Sequence, residues 1–224
     1  MNLMQLTLTE QVVFVLSAVV LFTSFALLAQ VRLVAAVHAF AWQGALVAEV
    51  TALMAAVGRE PHLYFSAGLT LILKALLIPW MLHRLIRRLA LDRHVETVSY
   101  PALVILFGAA LVLFCYWVVL PIERLGLAAT RNIIAVTLAV VLLGLLMMVV
   151  RRQVVSQVIG FMSMENGLFL AAVAATKGMP MVVELGVAFD VLVAAVLFGV
   201  FFLQIRESID SLDVDRLNRL TEAE

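Results

Sequence analysis

The chain has 224 residues, of which 65% are hydrophobic and 13% are charged, and its formal net charge at pH 7 is zero. Soluble domains are nearer half apolar, so a mean hydropathy of +1.13 excludes an ordinary soluble domain and indicates an integral membrane protein. The neutral charge balance gives no reason to expect a nucleic-acid partner. The single cysteine, Cys115, excludes an internal disulfide and a self-contained iron–sulfur cluster.

Seven stretches are apolar enough to cross a bilayer, for which about 20 residues are needed. The first ten residues contain Glu10 and no Lys or Arg, so the first stretch is predicted to be a retained span rather than a signal peptide. The third stretch is expected to continue as a helix through Arg88, because HRLIRRLAL keeps leucines at helical spacing. The sequence thus predicts an all-α integral membrane protein with about seven transmembrane helices, at roughly 11–30, 33–57, 63–83, 100–122, 132–150, 154–176 and 180–205.

The distribution of Lys and Arg predicts the orientation of these spans. With the N-terminus outside, ten basic residues fall on the inner side and four on the outer side, which is the bias expected of cytoplasmic loops. We divide the chain into four N-terminal spans (1–130), a three-helix membrane unit (131–205) and a charged cytoplasmic tail (206–224). Apolar residues near helical spacing in the tail predict a short amphipathic piece on the membrane or a partner, and a frayed tail is an equal alternative.

In the second span, His38 and Glu49 are eleven residues apart, which places them about 20° apart around a helix, with Trp42 on the same stripe. This stripe predicts a polar seam that faces other helices. Glu49 is interpreted either as a secondary proton station or as a structural partner of Lys74. His38 could pass protons, although an interfacial position near Arg32 explains it better.

The third span places Lys74 about 16 Å along the helix from Leu63, close to the middle of the bilayer. Thr70 lies one turn earlier, and Pro79 cannot donate the backbone bond that the carbonyl of Ala75 would accept. A loosened turn beside a buried lysine suggests a station for water or protons. The alternative is a structural lysine tied to a carboxylate.

The last two spans each hold a deep carboxylate. Glu165 lies in VVSQVIGFMSMENGLFLAAVAA, where Gly160 and Gly167 predict close helix approach. Asp190 lies in MVVELGVAFDVLVAAVLFGVFF, and Glu184 is nearer the outer end of that span. Ionisable residues inside spans usually face a bundle interior or a water-filled path and mark a functional site. We therefore predict that Glu165 and Asp190 exchange protons with buried water and that Lys74 tunes their proton affinity.

The C-terminal third resembles a known family. RRQVVSQVIGFMSMENGLFLAAV, VVELGVAFDVLVAAVLFGVFFLQI and SLDVDRLNRL follow the order seen in the K-type small membrane subunit of respiratory complex I. In that subunit an arginine pair precedes an IG-containing helix with a carboxylate, a second carboxylate follows, and an LDVD-like element ends the pattern. The elements of this chain that fit are Arg151-Arg152, Ile159-Gly160, Asp190 and 212–215.

The whole chain is more similar to the E component of hydrogenase-4 and formate hydrogenlyase-like complexes. KALLIP, which runs from Lys74 to Pro79, and the MENG and ELGVAFD segments fit that pattern. One departure concerns the carboxylate of the K-type helix, where this chain has Met162 and carries Glu165 one turn later. One turn is about 5.4 Å of rise, so Glu165 could occupy similar space from a shifted height.

The resemblance implies a non-redox membrane subunit of a hydrogenase-4, formate hydrogenlyase or complex I-like assembly in a prokaryotic plasma membrane. Its partners would be antiporter-like and other membrane subunits and a peripheral hydrogenase or redox arm. Iron–sulfur clusters, and a nickel–iron centre in a hydrogenase, would reside on those partners, with no cofactor in this chain. The chain would contribute to a lateral hydrophilic axis that translocates protons or other ions.

Two other functions fit the residues. The first is a subunit of an Mrp-like antiporter that exchanges Na⁺ for H⁺. The second is an inert anchor for a peripheral oxidoreductase, in which the buried charges are paired only for structural reasons.

Overall fold

A computed structural model describes residues 8–58, 61–88, 100–121, 128–175, 186, 188–197 and 199. This part of the chain is almost entirely helical. The elements are α1 (Leu8–Ala29), α2 (Leu33–Gly58), α3 (Pro61–Thr70), a π-helical segment (Leu71–Leu77), α4 (Ile78–Arg88), α5 (Pro101–Val119), α6 (Ala128–Val150), α7 (Val154–Ala175) and α8 (Ala188–Leu197).

Six segments are long and apolar enough to cross a membrane, and they correspond to the first six predicted spans. The third runs from Leu63 through Arg88, as the leucine spacing indicated. Of the seventh predicted span, the structure describes the ten-residue apolar helix α8 and two flanking positions. The helical, multi-pass architecture is therefore confirmed for the described residues, whereas the seventh crossing and the orientation stay predictions.

The third segment changes its helical geometry at Lys74. Residues Leu71–Leu77 form a π-helix, and the backbone N–H of Ile78 donates to the carbonyl of Leu73, five residues earlier. Pro79 follows directly and cannot donate to the preceding turn. The loosened turn that the sequence predicted beside Lys74 is thus present as a wider helix turn, a feature that is often found at functional sites.

Helices α6 and α7 approach each other closely because glycines line their contact. A methyl group added at Gly144 would lie 2.6 Å from the backbone nitrogen of Met164 and 2.8 Å from the carbonyl oxygen of Gly160. One added at Gly167 would lie 2.9 Å from the backbone nitrogen of Val141. Backbone approach of this kind drives helix association in membranes. The predicted role of Gly160 and Gly167 is confirmed, and Gly144 completes the contact from α6.

The break between α1 and α2 is held by Arg151, which is buried at the connection between α6 and α7. Its Nη2 atom donates to the carbonyl oxygen of Leu28 at 2.9 Å and also to that of Gln30. Carbonyls at a helix end have no partner within the helix, and a cation suits the negative end of the helix dipole. Arg151 therefore fixes the short connection that separates the first two spans.

Helix α5 lies at the periphery, where it packs against α6 and α1. Most of its large side chains are exposed, among them Phe107, Leu113 and Trp117. Gly108 faces inward against Leu143 and Leu28. In a bilayer the exposed side chains of such a helix contact lipid or other subunits.

Candidate functional site in the membrane domain

The bundle encloses one lysine and two carboxylates from three different segments. The ammonium group of Lys74, in the π-helical segment, contacts Oε2 of Glu165 on α7 as a hydrogen-bonded ion pair. Its Nζ atom lies 3.3 Å from Oδ1 of Asp190 on α8. Lys74 and Asp190 are 0% exposed and Glu165 is 6% exposed. We call these three residues the ion cluster, and they are the residues predicted to act together.

Small and aromatic residues make the enclosure of the ion cluster possible. A methyl group at Gly44 of α2 would lie 2.8 Å from Cβ of Lys74, so a side chain at this position would displace the lysine backbone. Gly186 approaches α7 so closely that a methyl group there would lie 3.3 Å from Oε1 of Glu165. The ring of Phe169 lies with its centroid 5.2 Å from the Lys74 ammonium, within the range of a cation–π interaction.

A chain of neutral hydrogen bonds begins at the residue next to Glu165. The amide of Asn166 donates to Oε1 of Gln43 at 3.1 Å, and the amide of Gln43 donates to Oγ of Ser24 at 2.8 Å. All three side chains are buried, and they connect α7 through α2 to α1. No role was predicted for Gln43 or Ser24 from the sequence. The sequence did contain a sign of this contact, because the amide side chain of Gln43, in the middle of an apolar span, needs a hydrogen-bond partner.

Several buried oxygens at or beside the ion cluster accept no hydrogen bond from the part of the chain that the structure describes. They are Oε1 of Glu165, Oδ2 of Asp190, Oδ1 of Asn166 and Oγ1 of Thr70, which precedes Lys74 by one turn. Buried polar atoms in native proteins are almost always hydrogen-bonded, to protein or to internal water. These oxygens mark a region of the bundle in which hydrogen-bond acceptors are available to internal water.

The position of Glu165 also bears on the departure from the K-type pattern. Met162 is 1% exposed and packs in the apolar core with Ile159. Glu165, one turn further, is the residue that reaches Lys74. The carboxylate of α7 therefore reaches Lys74 from position 165, one helical turn after position 162, where the K-type pattern has its carboxylate.

The other two predicted site residues lie away from the ion cluster. His38, Trp42 and Glu49 share one face of α2, as predicted, but all three are exposed. The expectation that Glu49 is buried and that this stripe faces other helices therefore does not hold within this chain. Lys74 pairs with Glu165 and Asp190, so the alternative pairing with Glu49 is not found.

His38 contacts the partly buried His83 of α4, with ring centroids 6.0 Å apart and ring planes at 66°. Its Nδ1 atom bonds to the carbonyl oxygen of Val34 at 2.8 Å. A role of His38 or Glu49 in an ion path stays a prediction. Glu184 and the predicted amphipathic tail lie outside the described residues.

The described residues define a multi-pass, helical membrane protein whose bundle encloses acidic and basic side chains. The chain is 33% identical over 187 residues to the uncharacterized protein Rv0085 of Mycobacterium tuberculosis, a match that covers 83% of this chain and 85% of that protein. It belongs to the same family as that protein. No protein-family model matches the sequence, and no solved structure was found to match it.

The chain is also a homologue of hydrogenase-4 component E, as its sequence resemblance indicated. It is 28% identical to the Escherichia coli K12 protein of that name over 181 residues, which are 81% of this chain and 84% of that protein. The Shigella flexneri protein of the same name matches equally.

Proposed function

We propose that this chain is a membrane subunit of a hydrogenase-4-type complex and that the ion cluster forms part of a proton path coupled to electron transfer in partner subunits. The observation that carries the proposal is a lysine ammonium enclosed between two carboxylates from different segments. Lys74 and Glu165 lie in segments long and apolar enough to cross a membrane, and Asp190 lies in the shorter apolar helix α8. Homology to hydrogenase-4 component E supports the assignment to such a complex.

The composition of the ion cluster suits reversible proton binding. With all three groups ionised, Lys74, Glu165 and Asp190 carry one net negative charge, which one added proton neutralises. If that proton binds Asp190, the ammonium pairs fully with Glu165; if it binds Glu165, the ammonium is released toward Asp190, 3.3 Å away in this structure. Lys74 thereby couples the protonation states of the two carboxylates. This shift takes place in the π-helical segment that carries Lys74, and such segments are frequent at functional sites.

Protons must also enter and leave the ion cluster. The buried oxygens with spare binding capacity support a route through internal water at Glu165, Asp190 and Thr70. The hydrogen bonds from Asn166 through Gln43 to Ser24 run sideways through the bundle, from α7 to α1. In our proposal they orient water for a lateral path toward a neighbouring membrane subunit.

The remaining parts of the complex follow from the assigned class. Hydrogen chemistry, iron–sulfur clusters and a nickel–iron centre belong to partner subunits, and this chain binds no redox group. Antiporter-like subunits and a peripheral redox arm are the proposed partners, in a prokaryotic plasma membrane with the N-terminus outside. The helices α6, α7 and α8 are the proposed equivalent of the K-type three-helix unit.

The substitution Asp190→Asn tests the proton path, because it keeps the side-chain shape and removes titration. We expect the complex to assemble and to lose proton translocation, measured in vesicles against hydrogenase turnover in the same preparation. Thr51→Val is the matched control, since it removes another buried polar group on a neighbouring helix, whose hydroxyl donates to the carbonyl oxygen of Val47 one turn earlier. Normal pumping and normal turnover with Asp190→Asn would overturn the assignment.

A purely structural ion cluster predicts a different result when all three charges are removed together. The triple variant Lys74→Met, Glu165→Gln, Asp190→Asn leaves no unpaired charge, so an inert anchor would keep full activity of the complex. The proposed path predicts that this variant assembles but translocates no protons. Retained proton translocation would show that the ion cluster has only a structural role.

A further inference from the structure

The outward face of α2 carries the carboxylate of Glu49 within an apolar stretch, where contact of a charged group with lipid is unfavourable. Glu49 lies seven residues, about 10 Å along the helix, before Ala56, where the apolar stretch of α2 ends. Its side chain is exposed, and none of the described residues bonds or ion-pairs with it. A carboxylate at such a depth is normally paired with another side chain or turned into a cavity.

Other polar and aromatic groups extend this face. Trp42 is 69% exposed on the same stripe, and His38 follows one turn further along. The contact between the His38 and His83 rings joins α2 to α4, so that the face spans two helices. We call the surface formed by Glu49, Trp42, His38 and His83 the α2 face.

A second copy of this chain does not fit the α2 face. Copies inserted in one membrane share one orientation, so a symmetric pair would place each residue beside its equivalent at the same depth. Glu49 of one copy would then meet Glu49 of the other, and like charges repel most strongly where water is scarce. The histidines could not relieve this, because His38 lies eleven residues, about 16 Å, along the helix from Glu49.

We propose that the α2 face binds a transmembrane helix of a different subunit, which brings a lysine or arginine side chain to Glu49. The carboxylate provides the charge that such a side chain needs at this depth, and Trp42 provides an apolar contact beside it. This inference rests on the proposed function only in requiring that the chain works within a membrane complex. It does not depend on proton transfer at the ion cluster.

Photo-crosslinking in the membrane of the intact complex tests the occupant. A photo-reactive amino acid replaces Trp42 in one variant and Trp117 of α5 in another; the two tryptophans are 69% and 68% exposed, which makes them matched sites. At position 42 we expect an adduct with a membrane helix of another subunit that contains Lys or Arg. The variant at position 117 of α5 shows whether adducts with lipid can be detected in the same preparation. Adducts of position 42 with lipid alone, or with a second copy of this chain, would overturn the proposal.

Substitution of Glu49 tests the charge itself. Leucine is more favourable than glutamate in lipid, so Glu49→Leu is harmless if the α2 face meets lipid. If it meets a cation, that cation is left unpaired, and we expect the amount of co-purified partner to fall roughly tenfold or more. Glu49→Asp, which keeps the charge, should restore most of it. Undiminished partner recovery with Glu49→Leu would contradict the proposal.

The outcomes separate the two proposals. Loss of partner with Glu49→Leu, together with normal pumping in Asp190→Asn, supports the interface and overturns the proton path. Normal assembly with Glu49→Leu, together with uncoupling in Asp190→Asn, does the reverse.

Discussion

Glu165 and Glu49 are the same residue type in two apolar helices, yet their surroundings are opposite. Glu165 is enclosed between α7, the π-helical segment and α8, where it contacts a lysine and approaches Gly186. Glu49 faces outward from α2, with exposed Trp42 on the same stripe. Glu165 has its ionic partner within its own chain, whereas the partner that we propose for Glu49 lies on another subunit. The partner of the acid distinguishes the two cases.

The enclosed region also contrasts with the outward one in how it satisfies polar atoms. On the inner face of α2, Gln43 bonds to Ser24 and receives a bond from Asn166. On the outer face of the same helix, among the residues described, Glu49 makes no such bond. One helix thus presents a polar network to its own bundle and a single charge to its exterior.

The largest effect is expected when the ion cluster loses its cation. Lys74→Met leaves two carboxylates enclosed without a counter-charge, and removing one partner of a buried pair costs about 3–5 kcal/mol. We expect the free energy of unfolding of the purified chain in mixed micelles to fall by about that amount, with poor accumulation in the membrane.

Adding Glu165→Gln and Asp190→Asn to Lys74→Met should recover most of this loss, because neutral groups need no counter-charge. A single Lys74→Met variant as stable as the parent chain would show that the enclosed region is not held by its charges. The comparison with Glu49 would then lose its basis.

A smaller effect tests whether close packing of α6 and α7 is what encloses Glu165. Gly144→Ala places a methyl group against the backbone of Met164, the residue before Glu165. Overpacking of this kind costs about 1–3 kcal/mol. Gly68→Ala is the control, because nothing lies within 4 Å of a methyl group there and both changes gain the same helix propensity. Equal unfolding free energies for the two variants would mean that α7 can shift freely, and the enclosure would not depend on this contact.

Much of the architecture follows from the sequence. Apolar runs bounded by Arg, Pro and Gly predicted six of the described segments, because the hydrophobic thickness of a bilayer sets helix length. The positions of Lys74 and Glu165 near the middle of their segments could be read from the sequence, as could the effect of Pro79 on the preceding turn from its missing donor.

The neighbours of these residues could not be read in the same way. Helical periodicity places Glu49 and His38 on one stripe, but it does not tell whether that stripe faces the bundle, because apolar residues are spread evenly around α2. The pairing of Lys74 with Glu165, 91 residues later, depends on how the segments pack. The contact of Arg151 with the end of α1 is likewise tertiary and bridges 123 residues.

The smallest effect is expected at Glu49 when the chain is studied alone. Since the described part of the chain offers this side chain no partner, Glu49→Leu should change the free energy of unfolding of the purified chain by no more than about 0.5 kcal/mol. The measurement uses the same mixed-micelle unfolding as for Lys74→Met, and that variant is the positive control. A loss above about 2 kcal/mol, the scale of a hydrogen bond to a charged group, would show that Glu49 has a partner within its own chain. Glu165 and Glu49 would then both have partners within their own chain, and the α2 face would present no unpaired charge to another subunit.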